Sequence, residues 1–425
     1  MKARLFGFCR RSSGSAVVCR ILILGLTAVG SFLATYRSSI QTTGATSSAP
    51  DQSTDDTLLL DHLRLCGKHR LASDYRLMPL TRAVVAYFPV KQLEPYLGQL
   101  KWCLRSLLEM MKDEPKLWRT DIVLYVEDLT SPELRQLGCS TTARQNASEP
   151  FKCILVKYTK VQDRVIDPKS SGYDRELKDQ FKEYSFIDSI APLAEQPEVY
   201  LNYDFVVRSD LDVFFTPAFS KWIPPGCTFI TGNGGYSDPY NLMKLALVAN
   251  HSGSYFNSSI WNIGSTWVGP APLISKIAAR TVHWMVYLSK TEFAPKMRKQ
   301  SWWSQAVLWP EWHYGVLLLY GGQLAINEIL HAGRRYPFQK IDLDHPTTST
   351  AACTETGPIH LHTYQSDTYF SKYRFASGAY KNTHSLPIVL NSSRCCDYAG
   401  YIAGDSLSMS PEVLANSLHA IKRYG

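Results

Sequence analysis

The stretch Tyr203-Asp-Phe-Val-Val-Arg-Ser-Asp-Leu-Asp-Val-Phe-Phe-Thr-Pro217 decides the fold prediction, because an apolar run leads directly into two aspartates with one residue between them. Residues 205–207 predict a short buried strand. Side chains alternate faces in an extended chain, so Asp210 and Asp212 leave the strand on the same side. Two carboxylates placed in this way suit one hard divalent cation that also binds phosphate oxygens.

A second Asp-x-Asp triplet, Asp342-Leu-Asp344, lies in a Pro-flanked stretch with no strand before it. A chain of ordinary composition contains about one such triplet by chance, so either triplet alone is also explained by chance or by turn capping. For Asp342 and Asp344 we expect either a chance occurrence or a turn-capping role, and their replacement should be silent as a control.

Strands and helices alternate along the chain before the first triplet. The apolar runs predict strands at Ala83–Pro89, Asp121–Glu127, Phe151–Tyr158 and Tyr203–Arg208, with helices at Leu97–Met111 and Tyr173–Ile190. This alternation predicts an α/β fold in which a largely parallel sheet is covered on both faces. Ligands of such sheets bind at the carboxyl ends of the strands, where Asp210 and Asp212 stand.

The composition and charge define the broad class. The 425 residues are 45% hydrophobic and 12% aromatic, enough to bury a large core. Much of the formal net charge of +8 lies before the first acidic residue, Asp51. The basic residues there are Lys2, Arg4, Arg10, Arg11, Arg20 and Arg37. The remainder is close to balanced, which indicates membrane orientation and no nucleic-acid partner.

The N-terminus has the pattern of a targeting segment. Residues 1–14 predict a cytoplasmic tail and residues 15–36 an apolar signal anchor near the roughly 20 residues that span a bilayer. A cleaved signal peptide is the alternative. Residues 38–57 are too polar to form a core, Leu58–Leu65 predicts a short helix, and residues 37–78 together are assigned to a disordered lumenal stem. We therefore expect the chain after the anchor to enter the secretory pathway, as a single-pass membrane protein if the anchor is not cleaved.

Cysteines and sequons agree with that compartment. Eight cysteines follow the anchor, an even number that can pair in an oxidising lumen, although buried thiols are the alternative. Cys139 and Cys153 bracket a polar loop, and we expect them to form a disulfide. Possible N-glycan acceptors begin sequons at Asn146, Asn250, Asn257 and Asn391.

The anchor, the stem, the opening strand Val84–Pro89 and the motif Ser209-Asp-Leu-Asp-Val213 together resemble Golgi-type GT-A glycosyltransferases over about residues 79–375. The resemblance implies a mixed, mainly parallel sheet, a nucleotide-sugar half at 79–270 and an acceptor half at 271–425. It implies sugar transfer from a nucleotide-diphospho-sugar to a glycan or glycoprotein in the Golgi, with the endoplasmic reticulum as the alternative location. Mn²⁺, or another divalent cation, would neutralise the leaving diphosphate. The residues implied to bind the donor are Tyr87, Asp210, Asp212 and Lys372.

The segment Ile359–Asp367 resembles the C-terminal histidine segment that closes the metal site in many GT-A enzymes. Its spacing puts His360 and His362 on one face of a strand, and imidazole binds Mn²⁺ beside carboxylates. The alternatives are that one or both histidines are structural and that Lys372 is a solvated lysine.

The catalytic base is left open between Asp238, Glu311 and Asp367, and the stereochemistry of transfer is open with it. The glycine-rich stretch Thr231–Tyr236 suits either close approach to a sugar or a plain turn. A strand at Trp261–Gly269 and helices at Ile274–Leu288 and Ser301–Leu308 are expected after it. The tryptophans that either stack on sugars or fill the core are Trp302, Trp303, Trp309 and Trp312.

Two other functions compete with the transferase. Asp210-Leu-Asp-Val213 also matches the nucleophile motif of haloacid-dehalogenase-type phosphatases, but that motif should follow the first strand of the sheet and not the fourth. The other alternative is a non-enzymatic lumenal protein that keeps the fold for sugar binding.

Overall fold

A computed structural model of the chain describes a set of residues within one compact unit, Asp56–Gly425. They are residues 76, 78–141, 151–166, 172–225, 228–236, 238–260, 262–294, 312–331, 338–340, 343–363, 370–380, 386–387 and 390–421. Several predictions fall outside these residues. They concern the anchor, the stem, the helix at 301–308, and the residues Trp302, Trp303, Trp309, Glu311, Asp342 and Asp367.

The described residues form eleven strands. These are β1 (Leu80–Phe88), β2 (Trp118–Val126), β3 (Cys139–Ser140), β4 (Cys153–Lys157), β5 (Phe205–Arg208), β6 (Val213–Phe215), β7 (Phe229–Asn233), β8 (Ile263–Pro270), β9 (Phe338–Lys340), β10 (His345–Pro346) and β11 (His360–His362). One sheet has the order β3-β4-β2-β1-β5-β8-β7-β9, and a second has the order β10-β11-β6.

The large sheet is mixed and mainly parallel, which confirms the predicted α/β class. Five of its seven strand pairs are parallel, and β8 runs antiparallel to both β5 and β7. The predicted strand at Trp261–Gly269 is β8, and the predicted fourth strand is β5. Because β1, β2, β4 and β5 are mutually parallel, their carboxyl ends lie along one edge of the sheet.

Ten helices occur among the described residues. They are α1 (Leu93–Met111), α2 (Pro132–Gln136), α3 (Gly172–Phe181), α4 (Ala191–Glu195), α5 (Pro239–His251), α6 (Ala271–Lys290), α7 (Leu317–Ile326), α8 (Lys372–Ala376), α9 (Cys395–Ser408) and α10 (Pro411–Ala420). Shorter 3-10 turns lie at Val90–Gln92, Val161–Asp163, Ser185–Ser189, Pro197–Val199, Pro217–Lys221 and Tyr314–Val316, and a π turn lies at Asn327–His331.

The sheet is covered on both faces, because successive side chains along each strand point into two different cores. Val85 and Val123 belong to the core that α6 and α7 complete, whereas Val84 and Ile122 belong to the core that α1 and α9 complete. Strands buried on both faces read as continuous apolar runs, which is why the sequence predicts them. The apolar positions whose spacing predicts α1 are buried toward its C-terminal end, where every residue from Trp102 to Met111 is buried.

The helix predicted over Tyr173–Ile190 is shorter than expected. α3 ends at Phe181, and a separate 3-10 turn follows at Ser185–Ser189. Within that turn the buried Asp188 carboxylate accepts bonds from Val161 N at 2.9 Å and from the Tyr158 hydroxyl at 3.3 Å. These long-range bonds favour the tighter turn over a continued α-helix.

A buried ion pair joins Arg82 of β1 to Glu114, which follows α1. Arg82 Nη2 is 2.8 Å from Glu114 Oε1, and both side chains are almost completely buried. The Arg82 guanidinium also donates to the carbonyl oxygens of Phe219 and Trp222 at 2.8 and 2.9 Å. Each buried charge therefore depends on the other and on fixed hydrogen bonds.

Two disulfides tie the chain. Cys139–Cys153 confirms the predicted pair and joins β3 to β4, while Cys353–Cys395 is a second bridge. Cys103 and Cys396 are buried free thiols.

No described helix is both long and apolar enough to cross a membrane, and the predicted anchor lies outside the described residues.

Candidate metal centre

The triplet lies where β5 ends and the small sheet begins. β5 ends at Arg208, and β6 starts at Val213, directly after Asp212. β6 pairs antiparallel with β11 in a register that sets Val213 opposite His362. The pairing therefore brings the C-terminal histidine beside the carboxylates of the triplet.

Three side chains converge at this point. His362 Nε2 lies 3.2 Å from Asp212 Oδ1 and 4.0 Å from Asp210 Oδ2. Asp210, Asp212 and His362 each offer one ligand atom, and these atoms all lie within 4.8 Å of one another. Two carboxylate oxygens and an imidazole nitrogen form a donor set that suits Mn²⁺ and leaves coordination positions for other oxygen ligands.

Asp212 has the most partners of the three. Lys372 Nζ, at the start of α8, lies 2.6 Å from Asp212 Oδ2. The Thr363 hydroxyl lies 3.0 Å from Asp212 Oδ2 and 2.9 Å from the Asp212 carbonyl oxygen, and has one proton to donate between them. Burial would raise the pKa of Asp212, but His362 and Lys372 outweigh burial and lower that pKa well below its usual range. Asp212 is therefore a carboxylate at all ordinary pH values.

His362 carries a proton in this arrangement. Burial by itself would lower the pKa of His362, but the adjacent Asp212 carboxylate outweighs burial and raises the pKa to about 9. Since only the neutral imidazole binds a metal ion, a cation and a proton compete for Nε2.

Arg208 contacts Asp210, and the sequence pattern alone did not assign it to the site. Its Nη2 lies 3.3 Å from Asp210 Oδ1 and donates to Ser189 Oγ at 3.0 Å. The guanidinium is buried and lies 5.7 Å from the centroid of the Trp267 ring. An arginine as the last residue of a buried strand was the available signal, because a charge in that position needs partners.

The ligand role expected for His360 is not supported by its placement. Its ring is completely buried, with Nδ1 3.4 Å from Asp344 Oδ1 and Nε2 3.4 Å from Ser209 Oγ. Burial lowers the pKa of His360 to about 4, so the ring is neutral. Both ring nitrogens have partners, and among the described residues His360 does not join the group around Asp212.

The turn-capping role expected for Asp344 is wrong. The residue is 2% exposed, and its carboxylate accepts bonds from the backbone nitrogen of Thr266 at 2.9 Å and from the Thr266 hydroxyl. A Cβ atom at Gly232 or at Gly264 would overlap the Asp344 carboxylate. Gly232, in the glycine-rich stretch Thr231–Tyr236, therefore makes room for this buried aspartate.

Tyr87 lies near the carboxyl end of β1, where the sequence analysis places the donor. Its hydroxyl donates to Glu127 Oε1 at 2.7 Å, and Lys160 Nζ lies 2.7 Å from the same oxygen. Glu127 Oε2 accepts from the backbone nitrogen of Val90 at 2.7 Å. These bonds fix the side chains along the edge where β1, β2 and β4 end, and donor binding by Tyr87 stays a prediction.

The candidate bases are not brought to the centre by any described contact. Asp238 is the N-cap of α5 and accepts from the backbone nitrogens of Tyr240 and Asn241 at 2.8 and 2.9 Å. Trp312 is buried and stacks on Tyr320 with ring centroids 4.5 Å apart, which places it in the core. Glu311 and Asp367 lie outside the described residues.

Several solved glycosyltransferase structures resemble this chain weakly. Mouse xyloside xylosyltransferase 1 in its apo form is 13% identical, with 64% of this chain and 86% of that chain covered and a TM-score of 0.30. The mannosyltransferase Ktr4p from S. cerevisiae is 10% identical, with 70% and 80% covered and a TM-score of 0.34. The WbbM bifunctional glycosyltransferase is 10% identical at a TM-score of 0.30, and the match covers 51% of this chain but only 36% of that one. Scores of this size support no conclusion about the activity of this chain.

Comparison by sequence gives a clearer result. The chain matches no curated protein. Residues 77–424 match the model of a family described as a domain of unknown function, DUF7164. That match covers most of the chain and nearly all of the described residues, including the whole metal centre. The chain therefore belongs to the DUF7164 family.

Proposed function

We propose that this protein is a metal-dependent glycosyltransferase that moves a sugar from a nucleotide-diphospho-sugar to a glycan or glycoprotein acceptor. The observation that supports it most is the convergence of Asp210, Asp212 and His362 after the carboxyl end of β5. Sheets of this class bind ligands at that edge. A donor set of two carboxylates and one imidazole at the same edge suits a metal-diphosphate complex.

Each charged side chain around the candidate metal centre has a role in this proposal. A bound Mn²⁺ would supply Lewis-acid stabilisation of the departing diphosphate. Asp210 and Asp212 would hold the ion, and Arg208 orients the Asp210 carboxylate from the buried side. The Lys372 ammonium, 2.6 Å from Asp212, is close enough to a phosphate bound there to add a second positive charge.

The phosphatase alternative is weakened by the position of the triplet. Asp210 and Asp212 follow β5, and β1, β2, β3 and β4 precede them in the chain. The phosphatase motif instead follows the first strand of its sheet. Two cationic side chains, His362 and Lys372, also contact Asp212, which leaves it poorly suited to act as a proton donor.

The test is a panel of nucleotide sugars incubated with the full chain and Mn²⁺, with release of nucleoside diphosphate as the readout. We expect turnover of at least one donor and its loss with EDTA. Asp212→Asn should lower turnover by at least about 100-fold, the scale of losing one electrostatic contact to developing charge. Asp397→Asn is the matched control, since Asp397 lies outside the candidate metal centre and pairs with the exposed Arg394 at the start of α9.

Each outcome of this panel has a meaning. Full Mn²⁺-dependent turnover by Asp212→Asn would remove the metal centre from the mechanism. Binding of a sugar without turnover of any donor by the unaltered chain would favour the non-enzymatic lumenal protein. Hydrolysis of phosphate monoesters that depends on Asp210 would favour the phosphatase.

We also propose that residues 15–36 anchor the protein in the Golgi membrane with the described residues in the lumen. The apolar run and the basic residues before it support this orientation. In sealed microsomes, a C-terminal tag should resist protease until detergent is added. Digestion of the tag without detergent would show the opposite orientation.

A further inference from the structure

An exposed apolar stripe runs along one face of α5. Tyr240, Met243 and Leu247 are 43%, 50% and 37% exposed. Their spacing of three and four residues places them on the same side of the helix. The opposite side faces the core and buries Leu245 and Val248. Single exposed apolar residues are ordinary, but three on one face of one helix form a patch that calls for a cover.

The same face ends in a sequon. Asn250 follows Leu247 by three residues and Met243 by seven, so it continues the stripe in the last turn of α5. Asn250 is exposed, and Asn250-His-Ser252 is an acceptor sequence. At 1.5 Å of rise per residue, Tyr240 lies about 15 Å along the axis from Asn250. An oligosaccharide attached at Asn250 would therefore start at one end of the patch.

We propose that Asn250 carries an N-glycan and that this glycan covers the stripe formed by Tyr240, Met243 and Leu247. The inference rests on the lumenal location proposed above. The donor is a lipid-linked oligosaccharide diphosphate. The Asn250 amide nitrogen bonds to the anomeric carbon, the bond from that carbon to the diphosphate oxygen breaks, and the lipid diphosphate leaves with the electron pair while the amide loses one proton to a base.

The physical reason for the cover is the removal of apolar surface from water. Pyranose rings present C–H faces, and packing these faces on the Tyr240 ring and on the Met243 and Leu247 side chains shields all three. The outer hydroxyls of the sugars then face the solvent, so the helix gains a polar surface. Asn391 provides a natural comparison, because its side chain is also exposed in a sequon but lies outside α5.

The experiment compares the full chain with Asn250→Gln and Asn391→Gln, all made in secreting animal cells. Glycopeptide mass spectrometry and the gel shift after PNGase F count the glycans. Oxidation of Met243 by dilute peroxide reports the cover, because methionine oxidation follows exposure. The buried Met285 is the internal reference.

We expect each variant to lose one glycan. Met243 oxidation should rise roughly twofold or more in Asn250→Gln and in the unaltered chain after PNGase F, with no change in Asn391→Gln. The enzymatic route keeps the test valid if Asn250→Gln folds poorly.

Three results would overturn the inference. Absence of glycan at Asn250 and Asn391 would refute the inference, and absence at Asn146 and Asn257 as well would also count against the proposed location. A glycan at Asn391 but not at Asn250 would refute this inference alone. A glycan at Asn250 whose removal leaves Met243 oxidation unchanged would show that something else covers the stripe.

Discussion

Metal binding at this centre should release a proton from His362. His362 Nε2 is 3.2 Å from Asp212 Oδ1, and the carboxylate holds the pKa of the imidazole near 9 despite its burial. An incoming cation takes the place of that proton, because a protonated imidazole has no lone pair on Nε2. The affinity for Mn²⁺ is therefore linked to pH by one titrating group.

The size of the linkage follows from the shifted pKa. With a pKa of about 9, His362 is about 97% protonated at pH 7.5, so binding releases about one proton. With the ordinary value of about 6.5 it would be only about 10% protonated at that pH, and binding would release about a tenth of a proton. The affinity should rise about tenfold per pH unit between these two pKa values and level off above the higher one.

Titration calorimetry measures the number of protons released on Mn²⁺ binding directly. Mn²⁺ is added to the chelator-treated full chain at pH 7.5 in two buffers of different ionisation enthalpy, and the difference in observed heat gives the protons released. His362→Gln should bind Mn²⁺ more weakly and release none. A release near one tenth of a proton by the unaltered chain would refute either the pairing of His362 with Asp212 or its role as a ligand.

Three further predictions concern stability. The folded pKa of His362 lies above its ordinary value, so the His362–Asp212 pair stabilises the metal-free protein fully below pH 6.5. Up to about 3 kcal/mol of the free energy of unfolding should be lost as the pH rises through about 9, which urea unfolding across that range measures. Glu114→Ala should cost about 3–5 kcal/mol by stranding the buried Arg82, whereas replacing both with leucine should cost much less in the same assay. Asp344→Asn should cost about 1–3 kcal/mol, and an unchanged denaturation midpoint would show that its bonds to Thr266 contribute nothing.

The sequence predicts five of the eight strands of the large sheet, namely β1, β2, β4, β5 and β8, and misses β3, β7 and β9. β1, β2 and β5 each contain an apolar run, and each folds as a strand buried on both faces, which is why the sequence reveals them. β6 was missed because three apolar residues after a turn carry no periodicity of their own. Its pairing with β11 joins residues about 150 positions apart, and no local pattern encodes such a partner.

The two histidines show where strand periodicity stops being informative. A spacing of two puts His360 and His362 on one face, but it also separates them by about 6.6 Å along the strand. The segments packed against the strand decide which partner each ring meets, so His362 meets Asp212 while His360 meets Ser209 and Asp344. The burial of Asp344 depends in turn on glycines in β7 and β8, which the sequence cannot place around it.

The pairing of β6 with β11 makes the centre a late product of synthesis. His362 and Lys372 follow Asp212 by 150 and 160 residues, so a growing chain exposes the triplet long before either cationic partner leaves the ribosome. Closing a loop of that length costs entropy, which the docked C-terminal segments must offset. Until these segments dock, the two carboxylates repel each other in an open turn and should bind a cation only weakly. Mn²⁺ binding during refolding should therefore appear only after the segments that carry His362 and Lys372 have docked beside Asp212.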